Sequence, residues 1–141
     1  MDLYINDFSI KSIPRTSMGT PLLQIEPTAD YTLGLNINKD LVAGQTVKDI
    51  DKLLAHTELN LAKNFREAII HECGHAKSIR GMTIKQIKEL YKKLAEIHLE
   101  GISQIAYEDG AEALAEIEIL LSRNQDIPEE LLDFYKTYME R

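Results

Sequence analysis

The chain has 141 residues, of which 44% are hydrophobic, and a formal net charge of -7. This length and composition predict one globular domain over residues 1–141. The acidic balance argues against a nucleic-acid partner and against an anionic membrane surface, because both need clustered Lys and Arg. No segment has the pattern of a signal peptide or the length of a membrane span, so we expect a soluble, cytoplasmic protein.

The first 40 residues show the period-two alternation that is typical of half-buried β-strands. Prolines and glycines interrupt the pattern at the expected turns. The result should be a small, mostly antiparallel sheet of three or four strands. The predicted strands are 3–5, 8–13, 22–25 and 31–37.

From about residue 46 the apolar spacing changes to the 3.6-residue period of amphipathic helices. Strands followed by helices predict the α+β class. Candidate N-caps and C-terminal stops give the approximate bounds. The predicted helices are one opening at Thr46, one over 60 to 80 between an Asn60 cap and Gly81, one from Thr83 to about Ile97, one over 107 to 123, and one opening at Asp126.

The second helix contains His71-Glu72-Cys73-Gly74-His75, a His-Glu-x-x-His motif. On a helix, His71 and His75 lie on one face and can hold one zinc ion. Glu72 would then be placed to take a proton from a metal-bound water. Gly74 costs the helix about 1 kcal/mol relative to Ala, which favours close packing of another backbone there. The alternative is a helix whose histidines bind no metal.

A catalytic zinc site needs a third protein ligand. We interpret His98 as an ordinary helix histidine, because no other site-like residue lies near it in the sequence. His56, before the motif helix and near a helix end, is a weaker candidate. Glu108, Glu112 and Glu116 are spaced by four residues and would share one helix face, where a cation would relieve their repulsion. We predict Glu112 as the ligand and Glu116 as the carboxylate that orients a metal-bound histidine. Glu108 is the alternative ligand.

Cys73 is the single cysteine, so an intrachain disulfide is excluded. We expect it to be a small buried side chain. The alternative is a nucleophile assisted by His71 or His75.

The motif, followed by Ala111-Glu112-Ala113-Leu114-Ala115-Glu116, resembles the gluzincins at pattern level over about residues 30 to 122. It is most similar to lethal-factor-type zinc metallopeptidase domains and to the peptidase-like domains of phage head-morphogenesis proteins. The resemblance implies a minimal zincin-like domain that carries the motif helix in its helical part.

The resemblance also implies roles for particular residues. His71, His75 and Glu112 would hold zinc, Glu72 would be the general base, and Tyr107 would stabilise the oxyanion. The strand Tyr31 to Ile37 would correspond to the edge strand that pairs with an extended peptide substrate.

These observations lead us to expect a zinc metallopeptidase acting on a peptide or protein substrate. An alternative is a zincin-like binding or assembly module with weak or no catalysis, in a phage or mobile-element context. A third reading is a metal-free helical interaction protein.

Overall fold

The computed structural model describes residues 5–16, 19–57 and 60–140. In these residues, a small three-stranded sheet near the N-terminus precedes seven helices, and the predicted α+β class is confirmed. Within the same residues, no helix has the length and apolar character needed to cross a membrane.

The sheet consists of β1 (Ile5–Lys11), β2 (Leu23–Ala29) and β3 (Thr32–Asn38), in the order β1-β3-β2. β3 is therefore the central strand. It pairs antiparallel with β2 and parallel with β1. The sheet is mixed, and our prediction of a mostly antiparallel sheet holds only for the β2–β3 hairpin.

The strand predictions need three corrections. β1 is one strand over Ile5–Lys11, where we predicted two; residues 3 and 4 lie outside the described part of the chain, and residues 12 and 13 are not in the strand. β2 continues through Pro27 to Ala29, beyond the predicted end at residue 25. An edge strand tolerates proline because its unpaired side needs no N–H. The turn comes later, where Tyr31 has a φ of 65°.

The helical part follows directly on β3. Its first helix, α1, has four residues and was not predicted; the Asn38 side chain caps it by accepting from the Asp40 N–H. The helices are α1 (Lys39–Val42), α2 (Val47–Ala55), α3 (Phe65–Ile79), α4 (Ile84–Leu94), α5 (Gln104–Glu108), α6 (Gly110–Ser122) and α7 (Glu129–Met139).

The motif helix α3 begins at Phe65, five residues after the predicted cap at Asn60. Asn64 is the N-cap, and its side chain accepts a hydrogen bond from the Glu67 N–H at 2.8 Å. Asp51 of α2 accepts a second bond from the Phe65 N–H at 2.7 Å. One carboxamide and one carboxylate thus accept hydrogen bonds from two of the backbone N–H groups that lack intrahelical partners at this helix start.

The predicted helix 107–123 is divided at Asp109, which has an extended backbone. Its carboxylate accepts from the Glu112 N–H at 2.9 Å and so starts the new helix α6. Glu108 consequently ends α5, and the prediction that it shares a helix face with Glu112 and Glu116 is wrong.

Two further helix bounds differ from prediction. The last helix starts at Glu129 after Pro128, and Asp126 does not cap it. α4 ends at Leu94, three residues earlier than expected.

Helices α3 and α6, which carry the predicted metal ligands, pack against each other, and Gly74 makes this possible. A Cβ at Gly74 would lie 2.8 Å from the Cα of Ala115 on α6. Two buried clusters support the pair. One includes Leu94, Leu114, Ile117, Tyr135 and Met139. The other joins the sheet to the helices through Leu33, Ala76, Ile79 and Ile87.

Candidate metal centre

The packing of α3 on α6 brings His71, His75 and Glu112 together. Nε2 of His71 lies 2.9 Å from one carboxylate oxygen of Glu112, and Nε2 of His75 lies 3.2 Å from the other. The potential ligand atoms of the three residues all lie within 4.8 Å of one another. These are the three residues that the sequence predicted as ligands.

Behind this group, the carboxylate of Glu116 is fully buried and contacts three donors. Nδ1 of His71 lies 3.0 Å from its Oε2. Its Oε1 accepts hydrogen bonds from the Leu61 N–H at 2.9 Å and from the Ser103 hydroxyl at 2.8 Å. Glu116 thereby fixes the orientation of the His71 ring and directs Nε2 toward Glu112.

The charges in this cluster favour bound positive charge. Burial opposes the imidazolium form of His71, but hydrogen bonds to Glu112 and Glu116 outweigh it and raise the pKa of His71 well above its ordinary value. The pKa of His75 is raised too: burial opposes its charge, and Glu112 outweighs the burial. Burial alone would raise the pKa of Glu112, yet His75 and His71 hold that pKa far below its ordinary value.

These residues fit a divalent transition metal. Two imidazole nitrogens and one carboxylate oxygen are a donor set that catalytic zinc sites use. Tetrahedral zinc with bonds near 2.0–2.1 Å needs ligand atoms about 3.3 Å apart. The separations of 2.9 and 3.2 Å involve different oxygens of Glu112, and the potential ligand atoms of the three residues lie within 4.8 Å of one another. A modest adjustment of these side chains would bring them to the spacing that zinc needs. The Nδ1 of His71 already faces a carboxylate, which is the usual outer partner of a metal-bound histidine.

Glu72 lies beside the cluster and contacts the sheet. Its Oε2 accepts a hydrogen bond from the Ile25 N–H of β2 at 3.2 Å. Burial raises the pKa of Glu72, although His75 and His71 partly counter the effect. The motif carboxylate is thus held between the histidines and the edge strand.

A cavity of about 830 Å³ opens onto these residues. Its lining includes three residues of β2, the three motif residues of α3 and four residues around the start of α6: Leu23, Gln24, Ile25, His71, Glu72, His75, Glu108, Asp109, Ala111 and Glu112. The volume is within the range of ordinary small-molecule and peptide-side-chain sites.

Sequence reasoning missed Tyr91 of α4, which lines this cavity. Burial, followed by the charges of Glu112 and Glu72, raises the pKa of Tyr91, so its phenol is neutral and can donate a hydrogen bond. No local motif marked this residue, because it reaches the site only through the packing of α4.

Tyr107, which the resemblance suggested as oxyanion donor, is placed elsewhere. It is 48% exposed, it stacks near the ring of His98, and it is absent from the cavity lining. The division of the helix at Asp109 accounts for this, because Tyr107 lies on α5 rather than on the ligand-bearing α6.

The remaining candidates lie at different distances from the metal ligands. Glu108 is exposed but lines the cavity, so it stays near the site without joining the three-ligand group. His98 bonds through Nδ1 to the carbonyl of Tyr107 at 2.8 Å. His56 is exposed at the end of α2.

Cys73 lies on the other side of α3, where it lines a separate cavity with Phe65, Ile69 and Ile70. Burial raises the pKa of its thiol, and the charges of Glu72 and Glu118 add to the shift. A raised pKa disfavours the nucleophilic thiolate. Cys73 is partly buried and not fully buried as we expected, and its raised pKa argues against the alternative of a nucleophile.

Comparisons of the chain with protein-family models, with curated proteins and with solved structures find no match. The interpretation of the site consequently rests on its own geometry and chemistry.

Proposed function

We propose that the protein is a zinc-dependent metallopeptidase of the gluzincin type within the zincin class. The observation that supports this most directly is the convergence of His71, His75 and Glu112, with Glu72 beside them. The predicted alternative of a metal-free interaction protein gives no reason for two histidines and two carboxylates to converge at a cavity.

In this proposal His71, His75 and Glu112 hold zinc. The ion supplies Lewis-acid chemistry, since it lowers the pKa of water to about 7 and polarises the carbonyl to be attacked. Glu116 keeps the His71 ring in the ligating orientation through the 3.0 Å contact at Nδ1. This is the general role of carboxylates behind metal-bound histidines.

Glu72 acts as the general base. It takes the proton of the attacking water and returns it to the leaving amine. Its hydrogen bond to the Ile25 N–H keeps the carboxylate at the edge of β2, next to the two histidines. Tyr91 donates a hydrogen bond to the oxyanion, in the role that the resemblance gave to Tyr107.

The substrate is an extended peptide that lies along β2. The Asn38 N–H donates to the Leu22 carbonyl, so even-numbered residues of β2 direct their backbone groups toward β3. By alternation, Leu23, Ile25 and Pro27 direct theirs away from β3. Leu23 and Ile25 line the cavity. This assigns the substrate edge to β2 in place of the strand from Tyr31 to Ile37, which is central in the sheet.

Pro27 limits this edge, because it offers a carbonyl but no N–H. The available donors are those of Leu23 and Ile25, and the Ile25 N–H is bonded to Glu72. We therefore expect a short main-chain pairing of two to three substrate residues, with side-chain recognition supplied by the rest of the cavity.

The first experiment is elemental analysis of protein purified without chelator. We expect about one zinc per chain in the wild type and in Glu108→Gln, and loss of zinc in His71→Ala and Glu112→Ala. If Glu112→Ala keeps zinc and Glu108→Gln loses it, Glu108 is the third ligand. Absence of zinc after reconstitution would refute the proposal.

The second experiment is hydrolysis of a peptide library by the zinc-loaded protein. Glu72→Gln should keep the metal and lose turnover by at least about a hundredfold, since general-base catalysis contributes about 10²- to 10⁴-fold. Turnover retained by this variant would remove Glu72 from the mechanism. A zinc-loaded protein that hydrolyses no peptide would favour the predicted alternative, a zincin-like binding or assembly module.

A further inference from the structure

β1 is an edge strand. Within the described residues (5–16, 19–57 and 60–140), no strand pairs with its outer side. Phe8 and Ile10 of this strand are 67% and 69% exposed. An edge strand presents unpaired N–H and C=O groups and readily adds another strand. Natural edge strands usually avoid this through prolines, bulges or charged side chains. β1 has a register shift between Ile5 and Asp7, but from Asp7 to Lys11 it contains no proline and pairs regularly with β3, and the charges of Asp7 and Lys11 are opposite in sign.

The exposed apolar side chains lie on the core face of the sheet. Phe8 is the register partner of Leu35, and Ile10 is the partner of Ile37. Aligned residues in neighbouring strands direct their side chains to the same face. Leu35 is only 6% exposed and Ile5 packs against the core, so the helical layer covers this face at β3 and at the start of β1 and leaves it open at Phe8 and Ile10.

We propose that β1 pairs antiparallel with β1 of a second copy of this chain, centred on Ser9. A twofold axis perpendicular to the sheet then joins two three-stranded sheets into one continuous sheet. The observation that selects a second copy is the arrangement of residues on both sides of Ser9. Asp7 and Lys11 are equidistant from it with opposite charges, and Phe8 and Ile10 are equidistant with apolar side chains.

In this register Asp7 lies opposite Lys11 of the second copy, and Phe8 lies opposite its Ile10. The twofold axis repeats each pair, so the contact contains two ion pairs and two apolar pairs. Directly opposed pairs of these kinds stabilise antiparallel strands, and opposed like charges destabilise them. The perpendicular axis keeps all four apolar side chains on one face, where they form a continuous cluster.

Lys11 already has a partner within its own chain, which bears on the design of the test. Its Nζ lies 3.1 Å from Glu26, and both side chains are nearly half exposed. Such surface pairs contribute little, so Glu26 does not prevent Lys11 from facing Asp7 of the second copy. Replacement of Lys11 nevertheless changes two interactions. Asp7→Lys is therefore the cleaner single variant.

The test is sedimentation equilibrium of the full chain over a dilution series, from about 1 μM to about 300 μM. We expect the wild type to approach twice the 16.0 kDa chain mass with rising concentration. Asp7→Lys and Lys11→Asp should each raise the midpoint concentration at least about tenfold, because each places like charges opposite each other at both symmetric positions. The double variant Asp7→Lys/Lys11→Asp should restore the midpoint to within about threefold of the wild type.

Phe8→Thr provides an uncharged variant that keeps strand propensity, and it should also weaken association. Circular dichroism would confirm that each variant retains its fold. The inference is overturned if the wild type stays monomeric at all concentrations, which would leave the β1 edge to a strand of another protein. It is also overturned if the protein dimerises but the midpoint concentration is the same in the wild type and the single charge variants. A double variant that associates no better than the single variants would overturn it too.

Discussion

Nδ1 of His71 and Oε2 of Glu116 lie 3.0 Å apart, on the side of the ring away from Glu112. Because this contact fixes the ring, Glu116→Gln should lower zinc affinity about 10- to 100-fold without abolishing binding. Competition with a chromophoric zinc chelator measures the change. Glu100→Gln, at an exposed position outside the cavity lining, is the matched control. If Glu116→Gln and the wild type bind zinc with equal affinity, Glu116 does not orient His71 for metal binding.

The proposed oxyanion donor can be tested with a pair of tyrosine variants. Tyr91→Phe should lower kcat about 10²- to 10³-fold and leave zinc affinity unchanged, because the lost hydrogen bond acts on the transition state. Tyr107→Phe removes the same hydroxyl from a residue outside the cavity lining and should change little. If Tyr107→Phe lowers kcat and Tyr91→Phe does not, Tyr107 is the oxyanion donor.

Gly74→Ala tests the approach of the two ligand-bearing helices. Alanine has the better helix propensity by about 1 kcal/mol, but its Cβ would lie 2.8 Å from the Cα of Ala115. Since backbone must move, we expect a net loss of about 1–3 kcal/mol in the free energy of unfolding and weaker zinc binding. Urea denaturation measures the first effect. Lys88→Ala on the exposed side of α4 is the control, and a stabilised Gly74→Ala protein would contradict the packing argument.

A fourth prediction concerns acid stability. Glu67 accepts two hydrogen bonds from Arg123, at 2.6 and 2.8 Å, and one from the Lys63 N–H. The bonds to Arg123 outweigh burial and lower the pKa of Glu67 in the folded protein. A lowered folded-state pKa stabilises the fold above the unfolded-state pKa, and this stabilisation is lost as the pH falls through the folded-state value.

Glu67→Gln should therefore destabilise the protein by about 1–2 kcal/mol at neutral pH, through the loss of charge-assisted hydrogen bonds. The difference from the wild type should shrink as the pH falls from the ordinary glutamate pKa of about 4.3 toward the lower folded-state pKa, because Glu67 of the wild type becomes protonated. Urea denaturation at a series of pH values measures it. A difference that stays constant with pH would show that the ion pair does not contribute through its charge.

The local signals in the sequence predicted much of the helical part. Thr46 and Thr83 cap helices as expected, each with a full capping box. The spacing of His71 and His75 predicted two imidazoles on one face, and the glycine between them predicted the close approach of another helix. All of these follow from the 3.6-residue period and from capping chemistry, which involve residues close together in the chain.

The errors arose where tertiary packing chooses among local alternatives. We predicted Asp109 as an interior residue of a helix. An aspartate carboxylate can equally cap a helix N-terminus. Only the packing of α6 on α3 selects the capping role. The parallel pairing of β1 with β3 joins residues far apart in sequence, and strand alternation carries no information about partner or direction. Tyr91 reaches the cavity by the same kind of long-range packing.

The strand order β1-β3-β2 gives the two edges of the sheet separate uses. In the inferred dimer the β1 strands meet at the centre, and the two cavity-facing β2 strands lie at opposite ends. Peptides paired outside the two β2 edges would lie seven inter-strand spacings apart, which is about 34 Å. A polypeptide engaged at both ends would need at least about ten extended residues to cross between them. Shorter peptides would therefore be processed by each copy independently, whereas a long unfolded chain could be held at two points at once.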